Sequence, residues 1–508
     1  MSHLRRLLLV PVIQTLGCTL ATNPLLLNDS GSESASTSAS DEISESTTAG
    51  SSSDTDSAES GANTTSTETS SSEDSSGDGT AECGDGVVQA SEVCDDGNLV
   101  GDDGCENDCT ITEILDVGLA DNTTCILFEG GHVRCWGENT HGQLGIGHTN
   151  HIGDDEMPWT APFVGIDEPA KQVVTGNAFA CALIDGGEHY CWGRNNGRLG
   201  YGFTENIGDD ELPSLIGTVD AGVEVSALTL GISFGCLLST ANAVKCWGVN
   251  EVGQLGYGHV LTLGDNETLS SYGNVMLGEP IQRVDSGIGH NCALTFEGAV
   301  LCWGYNGNGE LGNGMSGTNI SVGDDEIPLG FGPVLPNGVV AVQIVAGNFH
   351  SCALTNMGKV ICWGSGGSGE LGTGTTQGIG WDDTPTLANA ADVPDAVELV
   401  SGFGHNCIRT EAGELYCWGA AYVGQLGYAS IEDVGDDELP IEVGPVDVGG
   451  PIDRVWASQN ETCARRTTGE LYCWGLNSMY RNLGYETTET IGDDEIPASV
   501  GPVPLFGR

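Results

Sequence analysis

Carboxylates are the side chains of this sequence best suited to chemistry, and they recur in a short acidic motif. The motif is typified by Gly-Asp-Asp-Glu-Ile-Pro from Gly323, and seven copies are spread along the chain. Paired carboxylates can ligate calcium or cleave a glycosidic bond. An Asp followed by Asp or Asn, with Pro close behind, also suits a turn in which the side chain bonds the backbone. Seven near-equal copies favour the structural turn over one catalytic centre. The alternatives are calcium in these loops or a functional ring of carboxylates, since repetition places all seven copies on one face. The acids concerned are Asp154, Asp155, Asp209, Asp210, Asp265, Asp324, Asp325, Asp382, Asp383, Asp436, Asp437, Asp493 and Asp494.

Cysteines form the second recurrent pattern, a Cys-x9-Cys-Trp-Gly unit that also occurs seven times. In the copy from Cys292 to Cys302 a turn at Phe296-Glu297-Gly298 brings the two cysteines opposite each other across a hairpin. Directly opposed Cβ atoms lie close to disulfide distance. The alternative is fourteen reduced thiols acting as small core residues. The predicted bridges are Cys125–Cys135, Cys181–Cys191, Cys236–Cys246, Cys292–Cys302, Cys352–Cys362, Cys407–Cys417 and Cys463–Cys473.

A separate module over residues 83–109 contains four cysteines, Cys83, Cys94, Cys105 and Cys109, and few apolar residues. Its spacing lacks a Cys-x-x-Cys pair, which argues against zinc and favours two disulfides of unspecified connectivity. Calcium is an alternative, because oxygen ligands are abundant at Asp85, Asp95, Asp96, Asn98, Asp102 and Asp103. The segment resembles a cysteine-rich repeat of myxobacterial surface proteins.

The N-terminal residues predict export. Arg5 and Arg6 precede a short apolar run, so residues 1–21 have the layout of a signal peptide. The end of that run resembles the lipobox of bacterial lipoproteins, with Cys18 as the lipidated residue, although Thr15 replaces the usual aliphatic residue. The alternative is cleavage after Ala21 and full secretion. We expect an outer-membrane or cell-surface lipoprotein, or otherwise a secreted protein.

Composition separates a tether from the folded part. Between residues 30 and 80, 28 of 51 residues are Ser or Thr and none is basic, so we expect residues 22–82 to form a disordered linker. The chain of 508 residues carries a net charge of −57, which excludes nucleic acid as a partner. The nineteen cysteines fit an oxidising compartment.

Residues 113–508 consist of the seven units, whose second cysteines are 55–60 residues apart. A unit with three or four short strands cannot cover its own apolar face, so the copies must stack and close on one another. The sequence therefore predicts an all-β, seven-bladed β-propeller. We expect the Trp after each second cysteine to pack between blades: Trp136, Trp192, Trp247, Trp303, Trp363, Trp418 and Trp474.

The units resemble repeats of the regulator of chromosome condensation family. The Gly-His-x-Cys-Ala-Leu pattern is complete at His290 and partly matched at His350 and His405, and the Asn-x-x-Gly-Gln-Leu-Gly pattern is complete at Gln143 and Gln254 and matched from its first glycine onward at Gln425. The resemblance implies a propeller. Founding members exchange guanine nucleotide on Ran at chromatin, and a plant relative senses ultraviolet light through a Gly-Trp-Arg-His-Thr motif that is absent here. Exported bacterial relatives bind other proteins, including β-lactamase, and are the relevant comparison.

Two enzyme signatures, His-Glu-x-x-His and the phosphate-binding glycine loop, are absent from the sequence. Five histidines without a shared spacing are expected at the surface: His141, His148, His151, His189 and His259. We therefore expect a monomeric, non-enzymatic binding platform on a lipid-anchored stalk. Its partner would be an envelope or extracellular protein, with calcium as a candidate cofactor. The alternatives are an extracellular hydrolase with a site in the central channel and, more remotely, a guanine-nucleotide exchange factor.

Overall fold

The computed structural model describes Cys83 and residues 105–120, 122–154, 156–315 and 321–505. In this part of the chain there are seven separate sheets, each of three antiparallel strands in sequence order. The predicted all-β, seven-bladed propeller is confirmed. Each sheet is one blade, and its first strand lines a central channel.

The strands of blades one to seven follow in order. Blade one contains β1 (Ile114–Ala120), β2 (Thr123–Phe128) and β3 (Val133–Gly137), and blade two contains β4 (Ala170–Gly176), β5 (Phe179–Ile184) and β6 (His189–Gly193). Blade three contains β7 (Val225–Leu230), β8 (Phe234–Ser239) and β9 (Val244–Gly248), and blade four contains β10 (Ile281–Ser286), β11 (His290–Thr295) and β12 (Val300–Gly304). Blade five contains β13 (Ala341–Ala346), β14 (His350–Thr355) and β15 (Val360–Gly364). Blade six contains β16 (Ala396–Ser401), β17 (His405–Thr410) and β18 (Leu415–Gly419), and blade seven contains β19 (Ile452–Ser458), β20 (Glu461–Arg466) and β21 (Leu471–Gly475).

Short helices follow the acidic motifs. They are α1 (Pro213–Ile216), α2 (Pro440–Val443) and α3 (Pro497–Val500), with 3₁₀ turns at Pro158–Thr160, Leu269–Ser271, Pro328–Gly330 and Leu387–Asn389 and a further turn at Glu129–Gly131. Where the motif ends in Pro, that residue usually begins the helix, because its missing N–H is not needed in a first turn. Among the described residues, none of the helices has the length and apolar character required to cross a membrane.

A fourth strand is reduced in every blade to a single bridge. The glycine that ends the third strand pairs with one apolar residue further along, as Gly304 does with Val322. Gly304 has a φ of +105°, and a Cβ there would lie 2.5 Å from the carbonyl oxygen of Gly289. Only glycine fits, which explains why glycine follows the Trp in every unit.

The seven repeated Trp side chains are completely buried and hold neighbouring blades together. Each indole N–H donates to a backbone carbonyl of the preceding blade at 2.7–3.0 Å, as Trp303 does to Gln254. Trp136 of blade one donates to Asn482 of blade seven, so the same bond closes the ring. The expected role of these Trp between blades is confirmed.

In several blades a polar residue near the start of the second strand donates a second hydrogen bond to the backbone carbonyl that accepts the Trp bond. The Gln254 carbonyl also accepts from Nδ2 of Asn291, and the Gln425 carbonyl from Oγ1 of Thr462. Three buried histidines continue these contacts towards the next blade: His290 to Ser351 (2.8 Å), His350 to Asn406 (3.0 Å) and His405 to Thr462 (2.8 Å). Burial lowers the pKa of each, to about 3 for His290 and His405 and about 4 for His350, so the rings are neutral.

His189 lies in strand β6 and is buried, so the expectation that it is at the surface is wrong. Its ring lies 5.9 Å from that of Trp247, and burial lowers its pKa to about 4. The third strand is covered on both faces, so even a polar residue at its start is enclosed. The other four histidines of that group are half-buried in loops.

The seven predicted cysteine pairs are joined in the structure. The two Cα atoms of each pair are directly opposed in register and lie 4.0–4.1 Å apart, as at a pair without ladder hydrogen bonds. In the preceding module Cys83 is joined to Cys109, and Cys105 is also disulfide-bonded. Cys94 and the six proposed calcium ligands of that module lie outside the described residues, as do Cys18 and Asp155.

Replacing Trp303 with Phe removes one interblade donor and part of a buried ring. We expect the free energy of unfolding to fall by about 2 kcal/mol, because a hydrogen bond and packing area are lost together. Urea unfolding followed by circular dichroism measures this. Trp381→Phe is the matched control, since Trp381 is 38% exposed and lies outside the Trp ring. Equal losses in the two variants would contradict the role of the indole bond.

Non-reducing peptide mapping should recover seven intrablade bridges from protein purified from its native compartment. Each bridge closes a short loop and should stabilise the blade by at most about 3 kcal/mol. Free thiols at most of the fourteen positions would overturn this pairing.

Candidate functional site

Two regions present polar groups that ligands can reach. One is the central channel, of about 620 Å³, which is lined by the first strands of the blades. The other is the end of the propeller that carries the loop after each third strand and the acidic motif that follows it. We call this end the exit face, and its loops, such as residues 306–312 of blade four, the exit loops. Backbone bonds such as Tyr305 N to Gly289 O place the turns between first and second strands at the same end.

The first strands are sheet edges, and channel side chains bond part of their backbone. Gln172 accepts from the N–H of Leu228 and donates to its carbonyl, at 2.9 and 3.0 Å. Gln343 bonds both groups of Leu399 in the same way. Each amide therefore substitutes for a ladder partner between neighbouring blades, since an exposed edge would otherwise be left unpaired.

Charged channel residues are tied to one another. Arg454 lies 3.7 Å from Glu398 and 4.0 Å from Asp116, and Arg409 lies 2.7 Å from Glu398. Asp116 accepts from the indole N–H of Trp456 (3.0 Å), and Asp285 accepts from the N–H of Ala346 (2.8 Å). Burial raises the pKa of both aspartates. The contacts of Glu398, Asp116 and Asp285 therefore join neighbouring blades.

Serine and histidine also meet near the channel. Ser401 Oγ lies 3.2 Å from Nε2 of His350, and Ser401 lines the channel. The same nitrogen faces Asn406, however, and burial lowers the pKa of His350 to about 4, which makes the imidazole a weak base. The pair therefore fits a packing role better than nucleophilic catalysis.

The acidic turns are built into the contacts between blades. Gly323 accepts a hydrogen bond from Gly258 of the preceding exit loop at 3.0 Å, and comparable bonds reach Gly208, Gly264, Gly380, Gly435 and Gly492. Gly323 has a φ of +108°, and a Cβ there would lie 2.4 Å from the Gly253 carbonyl. In three turns the first Asp accepts from the next N–H, at Asp324, Asp436 and Asp493. The turn is therefore structural, and it fixes where the carboxylates point.

Four turns place three carboxylates within 4.8 Å of one another: Asp209-Asp210-Glu211, Asp324-Asp325-Glu326, Asp436-Asp437-Glu438 and Asp493-Asp494-Glu495. Burial, followed by hydrogen bonding to the adjacent Asp, raises the pKa of Glu211, Glu326 and Glu495 to about 7. Calcium takes about six to eight oxygens, so three carboxylates would need water or backbone to complete a site. The turns around Asp154, Asp265, Asp382 and Asp383 form no such triad among the described residues.

Gln143, Gln254 and Gln425 join blades in a way that the sequence pattern did not reveal. The backbone carbonyl at this position accepts the Trp bond, while the side chain accepts from the exit loop two residues earlier, as Gln254 does from Val252. Glu310 and Glu370 occupy the same position in blades four and five. A carboxylate oxygen of each Glu accepts from the backbone N–H two residues earlier, as the Gln amide oxygen does, so Glu can replace Gln at this position.

These features define the class: a closed seven-bladed propeller built from seven copies of one repeat. The model of the regulator of chromosome condensation (RCC1) repeat matches residues 116–143, 281–310, 341–370 and 396–425, and a second model of that repeat matches residues 297–354. The chain is 30% identical over 328 residues to the mitochondrial RCC1 domain-containing protein RUG3 of Arabidopsis thaliana, covering 63% of this chain and 69% of that protein. The chain belongs to the regulator of chromosome condensation repeat family.

Other comparisons agree with this assignment. The ultraviolet-B receptor UVR8 of Arabidopsis thaliana is 29% identical over 315 residues, 62% of this chain and 66% of the receptor, so the chain spans just under two thirds of it. The structure of yeast RCC1 (Prp20) bound to Kap60 superposes with a TM-score of 0.55 at 21% identity, over 71% of this chain and 79% of that one. At this level of identity, the similarity to yeast RCC1 shows a shared fold.

The buried carboxyl of Glu310 should make the stability of the fold depend on pH. Burial raises its pKa to about 7, so the folded state holds a proton between about pH 4.5 and 7 that the unfolded state releases. The stability of the natural chain should therefore fall as pH rises through this range. Glu310→Gln should remove the part of that dependence that Glu310 contributes and stabilise the fold by roughly 2 kcal/mol at pH 8.

Urea unfolding across pH measures the difference between the two proteins. Glu297→Gln, at an exposed hairpin turn, removes the same charge without the burial and should leave the profile unchanged. Parallel profiles for Glu310→Gln and the natural chain would show that the Glu310 carboxyl is ionised in the fold.

Proposed function

We propose that the chain is a non-enzymatic protein-binding platform that works outside the cytoplasm. The observation that supports this most is the ring of acidic turns, which a structural contact between blades holds on one face. Residues 113–508 carry 51 acidic and 13 basic side chains, a net charge of −38. Such a field attracts cationic partners and repels nucleic acid. Related propellers offer precedent, since yeast RCC1 was crystallised with the protein Kap60 bound.

The hydrolase alternative has little support in the channel. Its acids are engaged in contacts between blades, and the accessible Ser401 faces a histidine of low basicity. A nucleotide-exchange role rests on the family resemblance alone, since fold does not fix function.

Binding should occur without turnover and should weaken as salt is added, because long-range attraction is screened beyond about 10 Å at 0.1 M salt. The purified protein is to be challenged with envelope proteins and with glycan and peptide substrates, at low and high salt. Turnover that survived metal removal would favour the hydrolase. Binding that ignored salt would show that the acidic turns are only structural.

Display at a membrane surface is the second part of the proposal. Support comes from the sequence: a signal-like segment, Cys18 in a lipobox-like context, and a Ser/Thr-rich acidic stretch that self-repulsion would extend. A lipid at Cys18 would hold the propeller away from the bilayer on this stalk.

Lipidation predicts that the protein partitions into detergent and gains the mass of a diacylglyceryl group. Cys18→Ala should release it into the aqueous phase, because a single anchor is then lost. Phase partitioning and intact-mass measurement decide the point. Equal membrane association of the natural chain and the variant would rule the anchor out.

A further inference from the structure

Basic side chains of the propeller are concentrated away from the exit face. The turns between second and third strands form the opposite end, which we call the hairpin face. Of the twelve described Lys and Arg residues of the propeller, three lie in exit loops: Arg194, Arg198 and Arg481. The other nine lie in hairpin turns or in the strand halves beside them: Arg134, Lys171, Lys245, Arg283, Lys359, Arg409, Arg454, Arg465 and Arg466.

The exit face, where basic residues are few, carries exposed carboxylates. In each of the four triads the central Asp is exposed: Asp210, Asp325, Asp437 and Asp494. Because the glycine of every turn packs on the preceding exit loop, these carboxylates recur around the ring rather than at one blade. The exit face is thus the more acidic end of an acidic molecule.

Apolar side chains also lie on the exit face. Turns between first and second strands bring the half-buried Ile232, Ile288 and Phe403 to the mouth of the channel. Exit loops of blades six and seven add Tyr422, 58% exposed, and Met479, 72% exposed. Exposed apolar surface framed by charge is typical of protein contact sites.

We infer that the exit face binds a basic amphipathic segment of another protein. Lys and Arg side chains of that segment face the acidic turns, while its apolar side chains cover the residues at the channel mouth. Charge complementarity selects the partner and speeds its approach, and burial of the apolar centre supplies the short-range affinity. This inference rests on the proposed function and adds to it the face used and the chemistry of the partner.

The test compares two quadruple variants of the full chain that lose the same charge. Asp210→Asn, Asp325→Asn, Asp437→Asn and Asp494→Asn remove the exposed central carboxylate of each triad on the exit face. Glu129→Gln, Asp185→Asn, Glu297→Gln and Glu411→Gln neutralise exposed acids of the hairpin face. The probe is a fluorescent amphipathic peptide of Lys and Leu, followed by anisotropy at low salt. We expect the first variant to bind at least about fivefold more weakly and the second within about twofold of the natural chain.

A second pair of variants tests the apolar centre and does not depend on the charges. Tyr422→Ser with Met479→Ser should weaken binding of the Lys/Leu peptide. Phe296→Ser with Met357→Ser, which are exposed to a similar extent on the hairpin face, should not. A peptide with Ser in place of Leu should bind more weakly than the Lys/Leu peptide and be insensitive to both pairs.

Equal losses in the two charge variants would overturn the inference, as would peptide binding that required calcium, because the turns would then act as cation sites. Capture of envelope proteins that persisted in the exit-face variant would contradict this inference while leaving the proposed function intact. Turnover of a substrate would contradict the proposed function, whichever variant is used.

Discussion

The hydrogen bond from each Trp indole to a carbonyl of the preceding blade is the interaction on which the structure depends. A three-stranded blade cannot bury its own faces, so its stability is shared with two neighbours. The indole supplies a large apolar surface and a donor that must be satisfied once water is excluded. Its acceptor is available because a side chain such as Gln254 bonds its own exit loop and fixes the carbonyl towards the next blade. Ring closure uses the same device between Trp136 and Asn482.

The position of the acidic residues follows from that contact. The glycine before each acidic pair packs on the exit loop that carries the Trp acceptor, so the carboxylates emerge at the boundary between blades. Repetition then distributes them around one face. A turn required for packing therefore also places carboxylates at the surface.

The channel departs from the repeat, and its contacts explain why. Arg454 lies between Asp116 and Glu398, whereas Gln172 and Gln343 bond the backbone of the next blade. Neighbouring first strands are therefore joined by ion pairs at Arg454 and by hydrogen bonds from side-chain amides to the backbone at Gln172 and Gln343. Packing and ion pairing between blades occupy these channel groups.

The sequence by itself determined the number of blades, the cysteine pairing and the burial of the seven Trp, because one motif that contains both cysteines and the Trp recurs seven times at a nearly constant spacing. It also predicted the acidic turns, since Asp before Asp or Asn with Pro nearby has a local turn preference. Tertiary structure decided what depends on residues distant in the chain. The acceptor of the indole bond lies about fifty residues away, as Gln254 does from Trp303, and no local pattern marks a backbone carbonyl. Burial of His189 and the raised pKa of Glu310 likewise follow from neighbours that only closure of the ring brings together.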